Sequence, residues 1–194
     1  MRPSKVTLCK INTSTPAFSA IKGIYLSAFP ECERREEGQW ADLIDSEPLL
    51  SLYAVACGDS ASTIGFITSW NFDGFIYIEH FAISETVRNG GFGTKAIRKF
   101  LDCIAGGKRV VLEVEPPGIS PLAQRRISFY QRQGFVMSGY AYKQPPYAEG
   151  KEMIDLKLMS TNPIADEEDY ASIVKTIHSK VYGYCAEGGV KPGS

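Results

Sequence analysis

Three apolar, β-rich segments are joined by short turns and followed at once by a glycine-rich loop and a helix. This arrangement constrains the fold more than any other feature. The predicted strands and turns of this run are 50–57, 58–60, 63–70, 71–74 and 75–83. Such short turns indicate antiparallel neighbours. Residues 91–105 then carry apolar side chains at helical spacing, and a β-rich run follows at 109–114. This strand–helix–strand unit implies parallel pairing inside a mixed sheet.

The rest of the chain completes an α+β pattern with the order β-α-α-β-β-β-α-β-α-β-β. The remaining predicted elements are a strand at 6–11, a helix starting near Pro16, a short helix at 39–44, a helix from Pro121 to a cap at Gly134, and a final strand pair at 135–142 and 153–159. The predicted fold class is a mixed, mostly antiparallel sheet flanked by helices.

The C-terminal segment lies outside this pattern. Residues 1–160 are predicted to form the main domain, and residues 161–194 a helical extension packed on it. The extension carries an apolar helical stripe at about 166–182 and a frayed end at 188–194. Its helix is expected to cover a flank of the core or to build the contact of a homodimer.

Bulk composition narrows the class of protein. The chain has 194 residues, of which 44% are hydrophobic, and its net charge is −1, so one globular domain without a nucleic-acid partner is expected. It has neither a signal peptide nor an apolar run of about 18 residues, which favours a cytoplasmic protein without membrane contact. Five scattered cysteines indicate reduced thiols, and two distant histidines show no metal-ligand spacing.

The loop Arg88–Thr94 is the strongest candidate for a ligand site. It lies between a predicted strand and a predicted helix, where free N–H groups and the helix dipole favour a phosphate. Its glycines let the backbone approach an anion closely, and Arg88 adds a positive charge. The loop matches neither the P-loop nor G-x-G-x-x-G. A glycine turn without a ligand and a nucleotide-binding protein remain as alternatives.

Two motifs in this chain resemble those of the GNAT superfamily of N-acetyltransferases. Arg88-x-x-Gly91-x-Gly93 is similar to the cofactor signature of that family. The strand at 79–83 is similar to the strand that precedes this signature in the family. Phe129-Tyr130-x-x-x-Gly134-Phe135 resembles the second family motif. The resemblance covers about residues 5–159 and implies the GNAT-like acyl-CoA N-acyltransferase fold, with acetyl-CoA as co-substrate and no metal.

The resemblance also assigns residues to the cofactor. It implies that the backbone of Phe81, Ala82 and Ile83 pairs with the pantetheine arm like an added strand. It implies a pyrophosphate site formed by Arg88, Asn89, Gly90, Gly91, Phe92, Gly93 and Thr94. Many members carry Asn seven residues before the motif tyrosine, where this chain has Ala123. Arg125 and Arg126 follow, and they either reach a CoA phosphate or lie solvated on a helix face.

Acetyl transfer to an amine needs a base that removes a proton from the ammonium and an acid at the departing thiolate. The resemblance makes Tyr130 the candidate acid. Glu79 and Glu113 are equally ranked candidates for the base. The alternative for each is a purely structural glutamate that lies at a sheet edge or in a salt bridge. Strand alternation predicts that His80 points to the opposite face from Glu79.

The predicted function is therefore acetyl-CoA-dependent N-acetylation of a primary amine in a small molecule or a peptide. The alternative is a catalytically silent acyl-CoA-binding or regulatory module. The acceptor is expected near residues 31–37, which carry both signs of charge, and residues 140–147, which are rich in tyrosine and proline. The sequence does not identify this amine acceptor.

Overall fold

The computed structural model describes residues 5–58, 62–148, 150–185 and 189–190. The predicted turn at Asp59–Ser60 and most of the predicted frayed end at 188–194 lie outside these ranges. The chain divides into two compact units. The first contains residues 1–31 and 36–110, and the second contains residues 32–35 and 111–194.

The sheet of the first unit is the predicted antiparallel meander with the N-terminal strand added at its edge. Its strands are β1 (Val6–Ile11), β2 (Leu50–Cys57), β3 (Ser62–Asn71) and β4 (Phe75–Ile83). β1 pairs with β2, β2 with β3, and β3 with β4, each antiparallel. The meander prediction is confirmed, and its boundaries lie within one residue of the expected ones.

Helices cover both faces of this sheet. They are α1 (Ala17–Ala28), α2 (Glu37–Ser46) and α3 (Phe92–Phe100), which continues as a π-helical turn over Leu101–Ala105. On one face, Tyr25 of α1 stacks on Trp40 of α2 at 4.0 Å and meets Phe66 edge-on. On the other face, Phe100 of α3 meets Tyr53 edge-on at 5.8 Å. A strand covered on both faces loses simple alternation, and β3 is accordingly buried without interruption from residue 64 to 70.

β4 carries one residue more than the stretch of β3 that it pairs with. Thr68 pairs with His80, whereas the next residue of β3, Ser69, pairs with Ile78. Glu79 lies between these two pairs and forms a β-bulge. Bulges bend a strand and re-aim the side chains next to them, so strict alternation does not hold at this point.

Gly65 is required by the close approach of β3 to β4. A Cβ atom there would clash with the carbonyl oxygen of Ala82 and lie 2.7 Å from Cδ1 of Ile83. We expect Gly65→Ala to lower the free energy of unfolding by about 2 kcal/mol, because a backbone carbonyl cannot move aside cheaply. Urea denaturation measures this. Gly74→Ala is the matched control, since nothing lies within 4 Å of its Cβ position. Equal stability losses in the two variants would contradict the prediction.

The second unit is built around β8 (Ile154–Ser160). Residues 111–114 of β5 (Arg109–Val114) pair with β8 on one edge. β6 (Val136–Met137) and β7 (Tyr142–Gln144) pair with it on the other, all antiparallel. The helices of this unit are α4 (Pro121–Gln131) and α5 (Glu167–Lys180), and β9 (Tyr184–Cys185) pairs with β10 (Gly189–Val190).

The single strand predicted over 135–142 is wrong in one respect, because it is divided into β6 and β7. Met137 pairs with Met159 and Tyr142 with Leu156, so five steps on one side face three steps on β8. The two extra residues lie within 138–141. Lys157 Nζ donates to the carbonyl of Tyr140 at 3.0 Å and so satisfies part of the unpaired backbone. Ser138-Gly139 is the local sign of this interruption, because a glycine within a strand pattern is typical of a bulge.

α5 is the predicted C-terminal helix, and it packs along the bulged segment. Asp166 caps its N-terminus by accepting from the N–H of Asp169 at 2.9 Å. The Tyr170 hydroxyl donates to the carbonyl of Ala141, and His178 Nε2 lies 3.0 Å from the carbonyl oxygen of Lys143. No helix within the described ranges is long and apolar enough to cross a membrane.

Candidate active site

The glycine loop of the first unit has the geometry of a helix start with no side-chain cap. Asn89 and Gly91 have φ values of 68° and 73°, and Gly91 is the N-cap of α3. Gly91 has open space around its Cβ position. At Gly90 a Cβ atom would lie 2.6 Å from the ring of Phe92. Gly90 therefore serves packing inside the loop, whereas Gly91 allows the left-handed turn that opens the helix.

The first turn of α3 presents backbone donors. The N–H of Lys95 makes the first intrahelical bond, to the carbonyl of Gly91 at 3.2 Å. The N–H groups of Phe92, Gly93 and Thr94 precede it and are orphans of a helix N-terminus. Gly91 supplies no side-chain oxygen to accept from them. These donors and the positive end of the helix dipole suit an anion, so the loop fits a pyrophosphate.

Arg88 lies beside these donors in a local clamp. Its Nη1 is 2.7 Å from Oε1 of Glu85, and its Nε donates to the carbonyl of Ile83 at 3.3 Å. The Arg88 side chain is 49% exposed and that of Glu85 is 73% exposed. An exposed pair of this kind contributes little. It can therefore yield to a phosphate group that competes for the guanidinium.

The second motif is a helix stop that holds Tyr130. Gly134 has a φ of 90° and donates its N–H to the carbonyl of Gln131 at 3.0 Å. Phe135 donates its N–H to the carbonyl of Tyr130 at 3.1 Å. These two bonds form the Schellman motif, which confirms Gly134 as the predicted cap. The rings of Tyr130 and Phe135 meet at 5.5 Å, the apolar contact that accompanies the motif. Glycine and phenylalanine thus fix the tyrosine.

At its other end, α4 begins as predicted. Ser120 is the N-cap, its Oγ accepts from the N–H of Ala123 at 3.0 Å, and Pro121 occupies the first helical position. Local hydrogen bonds therefore define where α4 begins and where it ends, and both ends fix the position of Tyr130 in the helix.

The surroundings of Tyr130 keep its hydroxyl protonated. Phe129 meets its ring edge-on at 5.1 Å, in addition to the contact with Phe135. Tyr130 is half-buried. Burial raises the pKa of Tyr130 to about 12, and the nearby charge of Arg126 opposes this only in part. At neutral pH Tyr130 is a hydrogen-bond donor rather than a phenolate.

Glu79 and His80 of the first unit contact the same face of β3. His80 Nδ1 lies 3.3 Å from Thr68 Oγ1, and Glu79 Oε2 accepts from Trp70 Nε1 at 2.7 Å. Thr68 and Trp70 are two residues apart in one strand and therefore share a face. The prediction that His80 points away from Glu79 is wrong, because the bulge at Glu79 interrupts the alternation.

His80 is a core residue. It is 2% exposed, and its ring meets those of Tyr25 and Phe29 edge-on at 5.0 and 4.6 Å. Glu79 is half-buried. Of this pair, the carboxylate is the group with the exposure that a base requires.

In the second unit, two tyrosine hydroxyls hold Glu113. Tyr142 donates to Oε1, and Tyr182 donates to Oε2 at 2.9 Å. Glu113 is paired with Leu158, and Tyr142 with Leu156, which places both side chains on one face of the sheet around β8. Burial, with the Glu113 carboxylate second, raises the pKa of Tyr142 well above its usual value. The carboxylate is thus oriented by two hydroxyl donors.

Tyr182 belongs to the C-terminal segment and was not singled out by the sequence. It lies 69 residues after Glu113. Its hydroxyl is also 3.5 Å from that of Tyr147, and the two rings meet at 4.9 Å. No local pattern points to such a contact. The tail therefore contributes a side chain to the carboxylate cluster.

The two segments expected at the acceptor end meet within the second unit. The guanidinium of Arg35 lies 4.8 Å from the centroid of the Tyr147 ring. Arg35 also donates through Nη2 to the carbonyl of Val181. These contacts join residues 32–35, the proline-rich segment and the tail in one cluster.

Arg126 is engaged in an ion pair. Its Nη1 lies 2.6 Å from Oε2 of Glu115. Burial raises the pKa of Glu33, while Arg126 lowers it and Glu115 raises it. The arginine is thus part of a mixed-charge cluster rather than solvated alone. Among the described residues, no group of three or more His, Cys, Asp or Glu side chains is arranged to hold a metal ion.

The family of the chain follows from its match to known proteins. The model of the acetyltransferase (GNAT) family matches residues 16–135, more than half of the chain. This chain belongs to the acetyltransferase (GNAT) family. The predicted family and fold are thereby confirmed.

Individual relatives agree with this assignment. A Bacteroides thetaiotaomicron structure assigned to the same family is 34% identical, with a TM-score of 0.85, over 92% of this chain and 99% of that one. YjbC of Bacillus subtilis (strain 168), which is described as an acetyltransferase, is 27% identical over 116 residues. These residues are 58% of this chain and 58% of YjbC. A Vibrio cholerae spermidine N-acetyltransferase, solved with CoA and spermine, is 15% identical over 80% of this chain and 94% of its own, with a TM-score of 0.61. That last likeness concerns the fold.

Proposed function

We propose that this protein transfers an acetyl group directly from acetyl-CoA to a primary amine of a small molecule or peptide. The observation that carries the proposal is the Schellman motif of α4, which fixes Tyr130 as a protonated donor. A silent binding module would not need this hydroxyl. The loop Arg88–Thr94, with its orphan N–H groups, supports a site for the CoA pyrophosphate.

The reaction needs no covalent enzyme intermediate. Glu79 or Glu113 accepts a proton from the acceptor ammonium, directly or through water, and the free amine attacks the thioester carbonyl. The carbon–sulfur bond then breaks and an amide bond replaces it. Tyr130 donates a hydrogen bond to the departing thiolate.

The raised pKa refines the role of Tyr130. An ordinary thiol has a pKa near 8.5, so a phenol with a pKa of about 12 is the weaker acid. Tyr130 therefore keeps its proton and stabilises the negative charge on sulfur through a hydrogen bond. The glutamate passes the ammonium proton to solvent. The attacked nitrogen loses a second proton as the amide forms, and this proton balances the one gained by the thiolate.

Glu79→Gln and Glu113→Gln are expected to separate the two candidate bases. The variant that lacks the base should lose about 10²-fold in kcat and also lose the acidic limb of the pH profile of kcat/KM. The other variant should keep that limb, because it retains the titrating group. Glu152→Gln, at an exposed position, is the control. If both variants keep the limb with unchanged kcat, neither glutamate is the base.

The function itself is tested by thiol release from acetyl-CoA with a panel of amines, amino acids and short peptides. Turnover that falls in Tyr130→Phe supports the proposal. CoA binding without turnover by any acceptor would instead favour the silent module. Binding of ATP or NAD but not CoA would favour a nucleotide-binding protein.

We also propose that residues 161–194 form an extension of the domain formed by residues 1–160, that the protein acts in the cytoplasm, and that a homodimer uses the C-terminal helix. Mass measurement in solution before and after deletion of residues 161–194 tests the last of these.

A further inference from the structure

A buried amide on β7 has a donor without a partner. Gln144 is 4% exposed, and its Nε2 has no hydrogen-bond partner within the part of the chain that the structure describes. Leaving a buried donor unpaired costs about 1–3 kcal/mol. Unpaired polar side chains are uncommon in native interiors and call for a physical reason. Pro145 and Pro146 follow it, both buried, and restrict the backbone at this position.

The position of Gln144 in the strand places it with the carboxylate cluster. Tyr142 and Gln144 are the two buried residues of β7, and Lys143 between them is exposed. Residues two apart in a strand share a face, so Gln144 lies on the face where Tyr142 bonds to Glu113. One sheet face therefore carries a carboxylate, a phenol and an unpaired amide donor.

The donor type limits what can satisfy it. An amide N–H needs a hydrogen-bond acceptor, which a plain alkyl amine in its ammonium form does not offer. A carbonyl oxygen does. The carboxylate of Glu113, in contrast, suits the ammonium group of the acceptor. The two groups together match a molecule that carries an amine at one end and a carbonyl farther along.

The reach of the site favours an extended molecule. Glu113 pairs with Leu158 and Gln144 with Ile154, so they lie two strand spacings apart across the sheet and four residues apart along β8. Spacings of about 4.8 Å and about 3.4 Å then place their Cα atoms roughly 17 Å apart. An extended peptide covers about 3.4 Å per residue, so roughly five residues span the Cα separation and fewer span the gap between the side-chain ends.

We propose that Gln144 binds a backbone carbonyl of the acetyl acceptor, and that this acceptor is the N-terminal segment of a peptide. The inference rests on the proposed N-acetyltransferase function and adds the substrate class to it. Gln144 acts as a specificity determinant, and its amide gains in the complex the partner that the protein itself does not provide. The unpaired donor thus lowers the stability of the protein, and it is retained because it recognises the acceptor.

Gln144→Leu is the test, because it removes the amide and keeps a similar volume. The probes are synthetic tripeptide amides with free N-termini and, as the carbonyl-free arm, linear alkyl amines. For the peptides we expect about a tenfold loss in kcat/KM, carried mainly by KM. For the alkyl amines we expect no change. The melting temperature should stay the same or rise, since an unpaired buried donor is replaced by an apolar group.

Lys143→Gln is the matched control on the exposed face of β7 and should leave both arms unchanged. The inference is overturned if Gln144→Leu spares the peptides, if it affects both arms equally, or if it lowers the melting temperature. In each of these cases wild-type turnover still supports acetyl transfer. Absence of wild-type turnover with both arms rejects the proposed function, and the substrate class with it.

Discussion

Tyr130→Phe is expected to lower kcat by about 10²-fold and to leave KM for acetyl-CoA nearly unchanged. The variant keeps the aromatic ring that contacts Phe129 and Phe135 and removes only the hydroxyl that donates to the thiolate. A donor that acts as charge develops contributes to the transition state rather than to binding, so the loss appears in kcat. Steady-state kinetics with the best acceptor from the amine panel measures it.

Tyr53→Phe is the control, since it changes a tyrosine that packs on Phe100 in the core of the first unit. We expect it to keep full activity. A tenfold or smaller change in Tyr130→Phe, or an equal loss in the control, would remove Tyr130 from the mechanism and return it to a packing role.

The same variant has an expected signature in alkaline stability. The pKa of Tyr130 rises from 10.0 to about 12 on folding. The folded state holds the proton more tightly, so its contribution to stability is complete below pH 10 and is lost as pH rises toward 12. Tyr130→Phe should therefore show a shallower fall in the free energy of unfolding across this interval. Tyr142, whose pKa is also raised, leaves a residual slope in the variant.

Arg88→Gln is expected to weaken CoA binding by roughly 10- to 100-fold, because a charge-assisted bond to phosphate is among the stronger single contacts. The variant should also flatten the salt dependence of binding, since it removes a positive charge that salt would screen. Titration calorimetry with CoA at two ionic strengths measures both effects.

Two matched variants sharpen this test. Arg132→Gln removes an exposed arginine at the end of α4 and should leave the affinity for CoA unchanged. Glu85→Gln removes the carboxylate that competes for Arg88 and should keep or raise the affinity. Unchanged binding in Arg88→Gln would show that the backbone donors of α3 suffice without this side chain.

The local bonds of this protein could be predicted from its sequence because they depend on neighbours in the chain. Ser120 followed by Pro121 starts α4, and Gly134 ends it with positive φ, as residue type alone requires. Gly91 opens α3 for the same reason. The meander from β2 to β4 followed from its short turns and apolar runs. The geometry of such motifs is determined by residues that are close in the sequence.

Register and distant contacts could not be predicted in this way. The bulge at Glu79 arises from how β4 fits β3, and it brings Glu79 and His80 to one face. The interruption between β6 and β7 arises from pairing with β8. Each irregularity depends on how two strands pair, so it cannot be predicted from the alternation of residues in one strand.

By itself, the sequence determined the family, the glycine loop that suits a pyrophosphate, and the tyrosine held by its own helix stop. Only the tertiary structure decided what surrounds Glu113, because Tyr142 and Tyr182 reach it from 29 and 69 residues away. Only burial showed that Gln144 keeps a donor with no partner among the described residues. The physical reason is the same in both cases. Caps and turns are satisfied within a few residues, whereas the partners of a buried polar group are chosen by packing across the whole unit.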